Sequence, residues 1–269
     1  MNPLDIIQRT PKTNCGECGY PACLAFAANV ARSDEDPRKC PYINLDGLVL
    51  ANQKAASLDG LKKKHDLDLI RHLQEKISGL DFALTAPALG IPSPSENTDI
   101  FSFSYLGQQV RLSKKHILID GRVPEDPRDQ ILLYNYIHSG GGNPPSGSWI
   151  GLESLPNSIS KVKTLATYCE DRLAQTFTGM PGDEIISLCK HIGAEPFLQN
   201  SADVALTIPV LPRLPQKLLF WDEEPEDGFP AKVKILYDVN VLDYLDLESL
   251  VFSSERMAER ILHLFSTSP

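Results

Sequence analysis

Cysteine is distributed very unevenly along this chain, and that distribution constrains the fold more than any other feature. Six cysteines occur in 269 residues, and four of them fall within residues 15–40. These four, called here the N-terminal cysteines, are Cys15, Cys18, Cys23 and Cys40. The first residues lack the basic start and apolar core of a secretory signal, so we expect a cytoplasmic protein. Because the cytosol disfavours disulfides, the thiols are predicted to be reduced or metal-bound.

The spacing of the N-terminal cysteines indicates which metal group they bind. Two residues lie between Cys15 and Cys18, four between Cys18 and Cys23, and sixteen between Cys23 and Cys40. Pro41 follows the fourth cysteine. A four-iron cubane needs one thiolate at each of its corners, which a tight loop with three cysteines and one distant cysteine can supply. Structural zinc sites usually present their ligands as two pairs. The spacing predicts a [4Fe–4S] cluster, with a zinc site or plain thiols as the alternatives.

The residues between the ligands suit an anionic cluster. Gly16 and Gly19 permit backbone conformations that other residues disfavour, and let amide groups approach sulfur. Pro21 suits the first turn of a helix over residues 22–31. Cys23 then lies in that first turn, where the helix dipole favours a thiolate.

This N-terminal stretch resembles a known iron–sulfur domain. The residues that carry the resemblance are Thr13-Asn-Cys-Gly-Glu-Cys-Gly-Tyr-Pro-Ala-Cys-Leu-Ala-Phe-Ala27 and Cys40-Pro-Tyr42. They are similar to the N-terminal domain of the large subunit of corrinoid iron–sulfur proteins and to the cluster domain of the Rnf complex B subunit. The resemblance implies that all four N-terminal cysteines ligate one [4Fe–4S] cluster. It also implies low-potential chemistry in an anaerobe and a redox partner protein linked to corrinoid metabolism.

The rest of the chain departs from both families. The corrinoid cobalt-ligating motif Asp-x-His-x-x-Gly and the two-cluster cysteine motifs are absent from the sequence. Residues 95–269 instead resemble an uncharacterised domain that follows this cluster module in proteins of anaerobic microbes. The matching stretches are 129–136, 147–150, 220–224 and 235–238.

Four segments make up the predicted domain organisation. They are a cluster-binding domain at 1–45, a helical connector at 46–84, a proline-containing linker at 85–98 and an α+β domain at 99–269. In the connector, apolar residues recur every three or four positions over 61–80. The fold class is α+β: a small, mostly helical [4Fe–4S] module followed by a mixed, largely antiparallel domain.

The α+β domain is expected to begin with a three-stranded meander over 99–106, 108–112 and 115–119. A helix over 126–138 is predicted to stop at Gly140. Further helices are predicted over 159–178, 182–192 and 254–265, and strands over 203–208, 217–221 and 232–238.

Charge and hydropathy argue against two classes of partner. The formal net charge is −9, which disfavours non-specific binding to nucleic acid or an anionic membrane. No apolar run approaches the roughly 18 residues of a membrane span. We therefore expect neither a nucleic-acid nor a membrane partner.

Other chemically notable residues have simpler structural interpretations. Cys169 and Cys189 share helix faces with apolar residues and are predicted to be core residues. His191 is the histidine best placed to be tested as an axial ligand, although a structural role is favoured.

Three loop-like segments are also notable. The glycine-rich stretch 139–145 is typical of a surface loop because no Gly-Lys-Ser/Thr follows it. Five carboxylates within 222–227 form either a solvated turn or a pocket edge. Pro209, Pro212 and Pro215 recur at the polyproline II period, with an edge strand or packed connector as the favoured structure.

Single-electron transfer through one [4Fe–4S] cluster is the function that these observations favour, with no catalytic residue assigned. The alternative is a binding or assembly protein with a structural cluster, whose C-terminal domain holds a corrinoid, another tetrapyrrole or a client protein. A third hypothesis is an enzyme that uses the acidic segment 222–227.

Overall fold

The computed structural model describes residues 3–32, 35–45, 65–94, 99–198 and 201–267. The chain divides into two compact units, Met1–His65 and Asp66–Pro269. The first half of the predicted helical connector, residues 46–64, lies outside the described residues.

The first unit is built on two helices, α1 (Pro3–Ile7) and α2 (Cys23–Arg32), which pack against each other. A 3₁₀ turn at Pro37–Lys39 leads directly into Cys40. The helix predicted over 22–31 is therefore present, and it begins at Cys23. Among the described residues of this unit, one buried core consists of Ile6, Cys18, Phe26, Ala27, Val30 and Cys40.

Two helices open the second unit. The first, α3, covers residues 65–77 and buries Ile70, Leu73 and Ile77, as its apolar periodicity predicts. The second, α4 (Phe82–Leu89), begins at Asp81, whose carboxylate accepts the N–H groups of two first-turn residues. The linker prediction is therefore wrong for residues 85–89, because a capped helix continues through them with Pro87 inside.

The predicted meander is confirmed as the antiparallel strands β1 (Ile100–Tyr105), β2 (Gln108–Ser113) and β3 (Ile117–Ile119). Helix α5 (Pro127–Ser139) follows the meander. Asp126 caps its start, Pro127 occupies the first position, and Gly140 ends it with a φ of 73°.

A second, larger sheet forms the rest of the unit. Its five strands are antiparallel in the order β4-β8-β7-β6-β5. Their bounds are β4 Trp149–Gly151, β5 Glu195–Pro196, β6 Val204–Leu211, β7 Leu214–Trp221 and β8 Lys232–Asp238. The helices are α6 Ile159–Leu165, α7 Asp171–Phe177, α8 Gly182–Cys189 and α9 Leu247–Thr267. Helical modules and antiparallel sheets together confirm the α+β class.

Helices α7 and α8 pack against the large sheet, and α9 packs against both helices. The predicted helix over 159–178 is interrupted by a π-helical turn at Ala166–Glu170, between α6 and α7. The C-terminal helix begins at Leu247, seven residues before its predicted start at residue 254. Buried apolar residues from both sheets and α3 to α9 belong to one continuous core.

The π-helical turn has a specific contact with the sheet. Strand β4 pairs only with the last three residues of β8, starting at Leu236. The N–H of Ile235 lies just before this pairing and donates to the Glu170 carboxylate at 3.0 Å. A side chain thus satisfies a backbone group at the end of the ladder.

Candidate metal centre

The N-terminal cysteines all lie in the first unit, and they differ in exposure. Cys18, Cys23 and Cys40 have exposed fractions of 6%, 7% and 5%, whereas Cys15 is exposed. The apolar core that contains Cys18 and Cys40 also contains Phe26. Three thiols are thus shielded from water and one faces it.

The loop before α2 carries Cys15 and Cys18 in an unusual backbone conformation. Four of its residues, Lys12, Asn14, Gly16 and Gly19, have a φ between 52° and 80°. The N–H of Gly19 donates to the Gly16 carbonyl at 2.8 Å and closes a turn around Cys18. Left-handed residues are sparsely populated outside glycine and asparagine, and they concentrate at binding sites. The prediction that both glycines adopt special conformations is correct.

Asn14 connects this loop to the start of α2. Its side-chain Oδ1 accepts the backbone N–H of Cys23 at 2.9 Å. The first N–H groups of a helix have no partner within the helix, so Asn14 supplies the acceptor from outside it. Cys23 then lies at the positive end of the helix dipole, which favours a negatively charged group there. The contact made by Asn14 was not predicted from the sequence. Asparagine suits this position because it tolerates a positive φ and its side-chain oxygen can accept a hydrogen bond.

Cys40 is positioned by the 3₁₀ turn that precedes it. Its N–H donates to the Pro37 carbonyl at 3.3 Å, and its carbonyl accepts the N–H of Ile43 at 3.4 Å. Two residues after Tyr42, the N–H of Asn44 donates to the Arg9 carbonyl at 2.9 Å. That bond joins the segment after Cys40 to the segment before the cysteine loop.

Two tyrosines connect parts of the module that are distant in sequence. The Tyr42 hydroxyl donates to Glu17 at 3.1 Å, and this bond raises the pKa of Tyr42. The negative charges of Cys15 and Cys40 raise that pKa further, so both cysteines lie near this ring.

On the other side, the Tyr20 hydroxyl donates to Glu35 at 2.8 Å, and Lys39 donates to the same carboxylate at 2.9 Å. The hydrogen bond with Glu35 is the main cause that raises the pKa of Tyr20 and of Lys39. The negative charge of Cys18 also raises the pKa of Tyr20 and the pKa of Lys39. The carboxylate of Glu35 and the thiol of Cys18 therefore lie near the same tyrosine–lysine pair.

The spacing of the thiols distinguishes a site for a single metal ion from a site for a four-iron cluster. In the part of the chain that the structure describes, no three Cys, His, Asp or Glu side chains are arranged to hold a metal ion. Ligands of one ion must crowd around it, whereas each thiolate of a cubane bonds a different iron corner. Four cysteines in one small unit, with an apolar shell and a helix N-terminus, have the donor chemistry that an anionic cluster needs.

Comparison with known families gives separate results for the two parts of the chain. Residues 11–42 match a family model described as "Putative Fe-S cluster". Residues 81–260, more than half of the chain, match the model described as "Domain of unknown function (DUF3786)". The chain belongs to the DUF3786 family. The DUF3786 domain is thus preceded by a module whose sequence matches iron–sulfur domains.

Curated relatives match the chain at its N-terminal end. The corrinoid/iron-sulfur protein large subunit of Moorella thermoacetica is 51% identical over 44 residues, which are 16% of this chain and 10% of that protein. The acetyl-CoA decarbonylase/synthase complex subunit gamma of Methanocaldococcus jannaschii is 41% identical over 44 residues, 16% of this chain and 9% of that protein. The chain therefore spans about a tenth of the length of these relatives.

A third relative is the B subunit of the ion-translocating oxidoreductase complex of Thiobacillus denitrificans. It is 35% identical over 54 residues, 20% of this chain and 27% of that protein. No solved structure matches the chain. These comparisons support an iron–sulfur cofactor, and they bear out the predicted two-part architecture.

No described helix of the DUF3786 protein is long and apolar enough to cross a lipid bilayer.

Both remaining cysteines lie in the DUF3786 domain and are fully buried. The Cys169 thiol donates to the Ser254 carbonyl at 3.4 Å. Burial raises the pKa of Cys189 to about 12, and it also raises the pKa of Cys169. Both thiols are therefore protonated at neutral pH, as the core interpretation predicts.

The glycine-rich segment of the DUF3786 domain is a surface loop held by side chains. Asp243 accepts two hydrogen bonds from Asn143, at 2.9 and 3.0 Å. A Cβ added at Gly142 would lie 2.6 Å from the Asp243 carboxylate, so the glycine permits close contact. The loop amides are thus directed at a carboxylate of the protein.

The other candidate segments have structural surroundings. Asp222 accepts the N–H of Gly179 at 3.0 Å, and residues 223–228 form an exposed turn between β7 and β8. His191 is exposed, and its ring nitrogen contacts the Leu188 carbonyl at 3.1 Å. Pro209 and Pro215 face each other in the β6–β7 hairpin, so the proline period does not mark a polyproline helix.

Sequence reasoning missed a partly buried ion-pair network in the DUF3786 domain. Arg128 pairs with Asp126 and Glu259, and Arg256 pairs with Asp129. The network joins the start of α5 to α9, which are more than 110 positions apart. Nothing local in the sequence signals this pairing.

Proposed function

We propose that the N-terminal cysteines hold one [4Fe–4S] cluster, and that the protein uses it for single-electron transfer to or from a protein partner. When bound, such a cluster supplies one-electron oxidation and reduction, at potentials between about −700 and +450 mV. The residues of the chain hold the cluster, exclude water from most of it and set its potential.

The burial of the thiols is the observation that carries this proposal. Cys18, Cys23 and Cys40 are buried, and Cys18 and Cys40 share an apolar core with Phe26, which limits the access of water and oxidants. Cys15 is the exposed member of the set, so electrons have a short route to a docked partner on its side. A shielded site with one exposed edge is suited to electron exchange between proteins.

The surroundings of the thiols also favour a negatively charged group. Cys23 lies at the N-terminus of α2, and Lys39 is close enough to Cys18 to feel its charge. Both features favour a negatively charged group at this site.

The names of the relatives support a protein partner. They are subunits of a corrinoid/iron-sulfur protein, of an acetyl-CoA decarbonylase/synthase complex and of an ion-translocating oxidoreductase complex. Because the similarity covers only the cluster module, we propose a redox partner of the corrinoid-linked class and assign no reaction to the DUF3786 domain.

Anaerobic purification followed by iron and sulfide analysis tests the cluster. We expect about four irons and four sulfides per chain, and a reversible one-electron reduction in a potentiometric titration followed by electron paramagnetic resonance. Serine variants of each N-terminal cysteine should lose iron, whereas Cys169→Ala and Cys189→Ala should retain it. Zinc in place of iron would overturn the cofactor assignment. A cluster that cannot be reduced or oxidised reversibly would overturn electron transfer.

A further inference from the structure

The DUF3786 domain contains a cavity of about 290 Å³ that the proposed electron transfer does not use. It lies between the turn that joins β1 to β2, the first turn of α5 and the C-terminal half of α9. Its volume is close to the lower limit for small-molecule sites in proteins. What it can bind depends on which polar groups in its lining are already paired.

One part of the lining is fully paired. Arg256 donates to both oxygens of Asp129 at 2.8 Å and to Asp126 at 3.1 Å, and it also pairs with Glu259. The buried Tyr105 hydroxyl donates to Asp129 at 2.8 Å. These bonds fix the Arg256 guanidinium and engage all three of its nitrogens, so we expect neither it nor Asp129 to anchor a ligand.

The neighbouring charges extend this network. Arg128 donates to both oxygens of Glu259 at 3.1 Å and lies 4.0 Å from Glu255. Two arginines therefore face four carboxylates, those of Asp126, Asp129, Glu255 and Glu259. The network is negative by two charges before any other group is added.

Arg260 also lines the cavity, but its hydrogen bonding and ion pairing differ from those of Arg256. Among the described residues it forms no ion pair, and its Nε is buried without a hydrogen-bond acceptor. Its charge acts on Asp120, whose pKa is lowered chiefly by the hydrogen bond from Gln108 and to a smaller extent by Arg260. The Asp120 carboxylate is already bonded to the Gln108 amide at 2.9 Å and to the N–H of Gln109. Arg260 is thus a guanidinium at a cavity whose nearby carboxylates are already bonded to other groups.

We propose that this cavity binds a small monoanionic carboxylate, with the Arg260 guanidinium as its anchor. A guanidinium binds a carboxylate through two parallel hydrogen bonds, and such charge-assisted bonds are strong. His263 lies one turn further along α9 and lines the same cavity, where it can donate a further hydrogen bond. The excess of carboxylates around Arg256 repels a dianion more strongly than a monoanion, so a monocarboxylate fits better than a phosphate dianion.

Titration of the full, cluster-loaded chain with sodium acetate tests the site at constant ionic strength. Arginine side-chain resonances in nitrogen-15 NMR spectra report binding. We expect a saturable shift, and affinity weaker by roughly tenfold or more in Arg260→Gln, because a charge-assisted pair is lost. Arg172→Gln, which changes an exposed arginine on α7, should bind acetate as the wild type does. Acetamide, the neutral isostere, should not bind.

A second variant keeps the test decisive if Arg260→Gln does not fold. Gln108→Glu adds a carboxylate to the cavity lining, where it should compete for Arg260 and weaken acetate binding. The proposal is wrong if acetate produces only a linear, unsaturated shift, or if Arg260→Gln binds acetate unchanged. Tighter binding of inorganic phosphate than of acetate would refute the monocarboxylate assignment.

Discussion

The two units of this protein are stabilised in different ways. In the described part of the first, six buried residues form the core, and two of them are proposed cluster ligands. In the second, buried apolar side chains from two sheets and seven helices form one continuous core. Small domains bury too little apolar surface to fold securely without a disulfide or a metal, whereas larger ones do not need such help. We therefore expect the first unit to depend on its proposed cofactor for stability, and the second to be stable without it.

Removal of the cluster tests this difference and should have the largest effect. When iron is removed by a chelator, or when Cys23→Ser prevents cluster binding, we expect the first unit to lose its protected amides while the second retains them. Hydrogen exchange measured by mass spectrometry separates the units. Peptides from β6 and β7 are the internal control. A first unit that stays protected without iron would show that its small core is sufficient.

The buried ion pair offers the reverse test, in the second unit. Asp129→Ala leaves Arg256 without its main partner and the Tyr105 hydroxyl without an acceptor. Breaking a largely buried pair costs about 3 kcal/mol, so the free energy of unfolding of this unit should fall by that amount. Iron content should not change.

Urea denaturation followed by circular dichroism measures this loss. Asp171→Ala, on the exposed start of α7, is the matched control and should change the free energy of unfolding by less than about 0.5 kcal/mol. If both variants cost the same, the ion-pair network does not stabilise the domain.

The smallest expected effect concerns a single carboxylate. Burial raises the pKa of Glu170 above its ordinary value of 4.5, although the Ile235 N–H and Lys234 oppose the shift. Glu170 therefore binds a proton more tightly in the folded state than in the unfolded state. As pH rises from 4.5 through the raised pKa, ionisation of Glu170 lowers the free energy of unfolding. Glu170→Gln should remove this dependence and keep an acceptor for Ile235.

We expect Glu170→Gln to be slightly more stable than the wild type at pH 7, by less than about 1 kcal/mol, and the difference to vanish below pH 4.5. Thermal unfolding of the second unit at several pH values measures it. A variant less stable than the wild type at pH 7 would show that the pairing with Lys234 outweighs the cost of burial.

Local patterns in the sequence predicted most of the fold. The meander, the start of α5 at Asp126 and its end at Gly140 follow from alternation and capping residues that lie close together in the chain. The linker prediction failed at residues 85–89 because proline was taken as a helix breaker. Asp81 at one end, Gly90 at the other and the buried residues Ala86 and Leu89 stabilise α4 in spite of Pro87.

The candidate sites were predictable to different degrees. The N-terminal cysteines were proposed as ligands from spacing, which is a local property, and that assignment remains a proposal. Asn14, Tyr20 and Tyr42 lie within the motif that carries the resemblance, but their contacts form only after folding, so the sequence did not predict those contacts. The Arg128–Arg256 network depends on α5 and α9 meeting, which no spacing rule reports.

The contact between Glu170 and Ile235 has a consequence for solubility. An exposed strand edge with free amide groups invites strands of other molecules to pair with it, which leads to aggregation. Strand β4 is too short to cover the whole of β8, and the carboxylate from the π-helical turn occupies the next backbone donor. Lys234 adds a charge at the same place and pairs with Glu153. An intruding strand would meet both a blocked donor and a pair of charges, so this short helical irregularity protects the sheet from self-association.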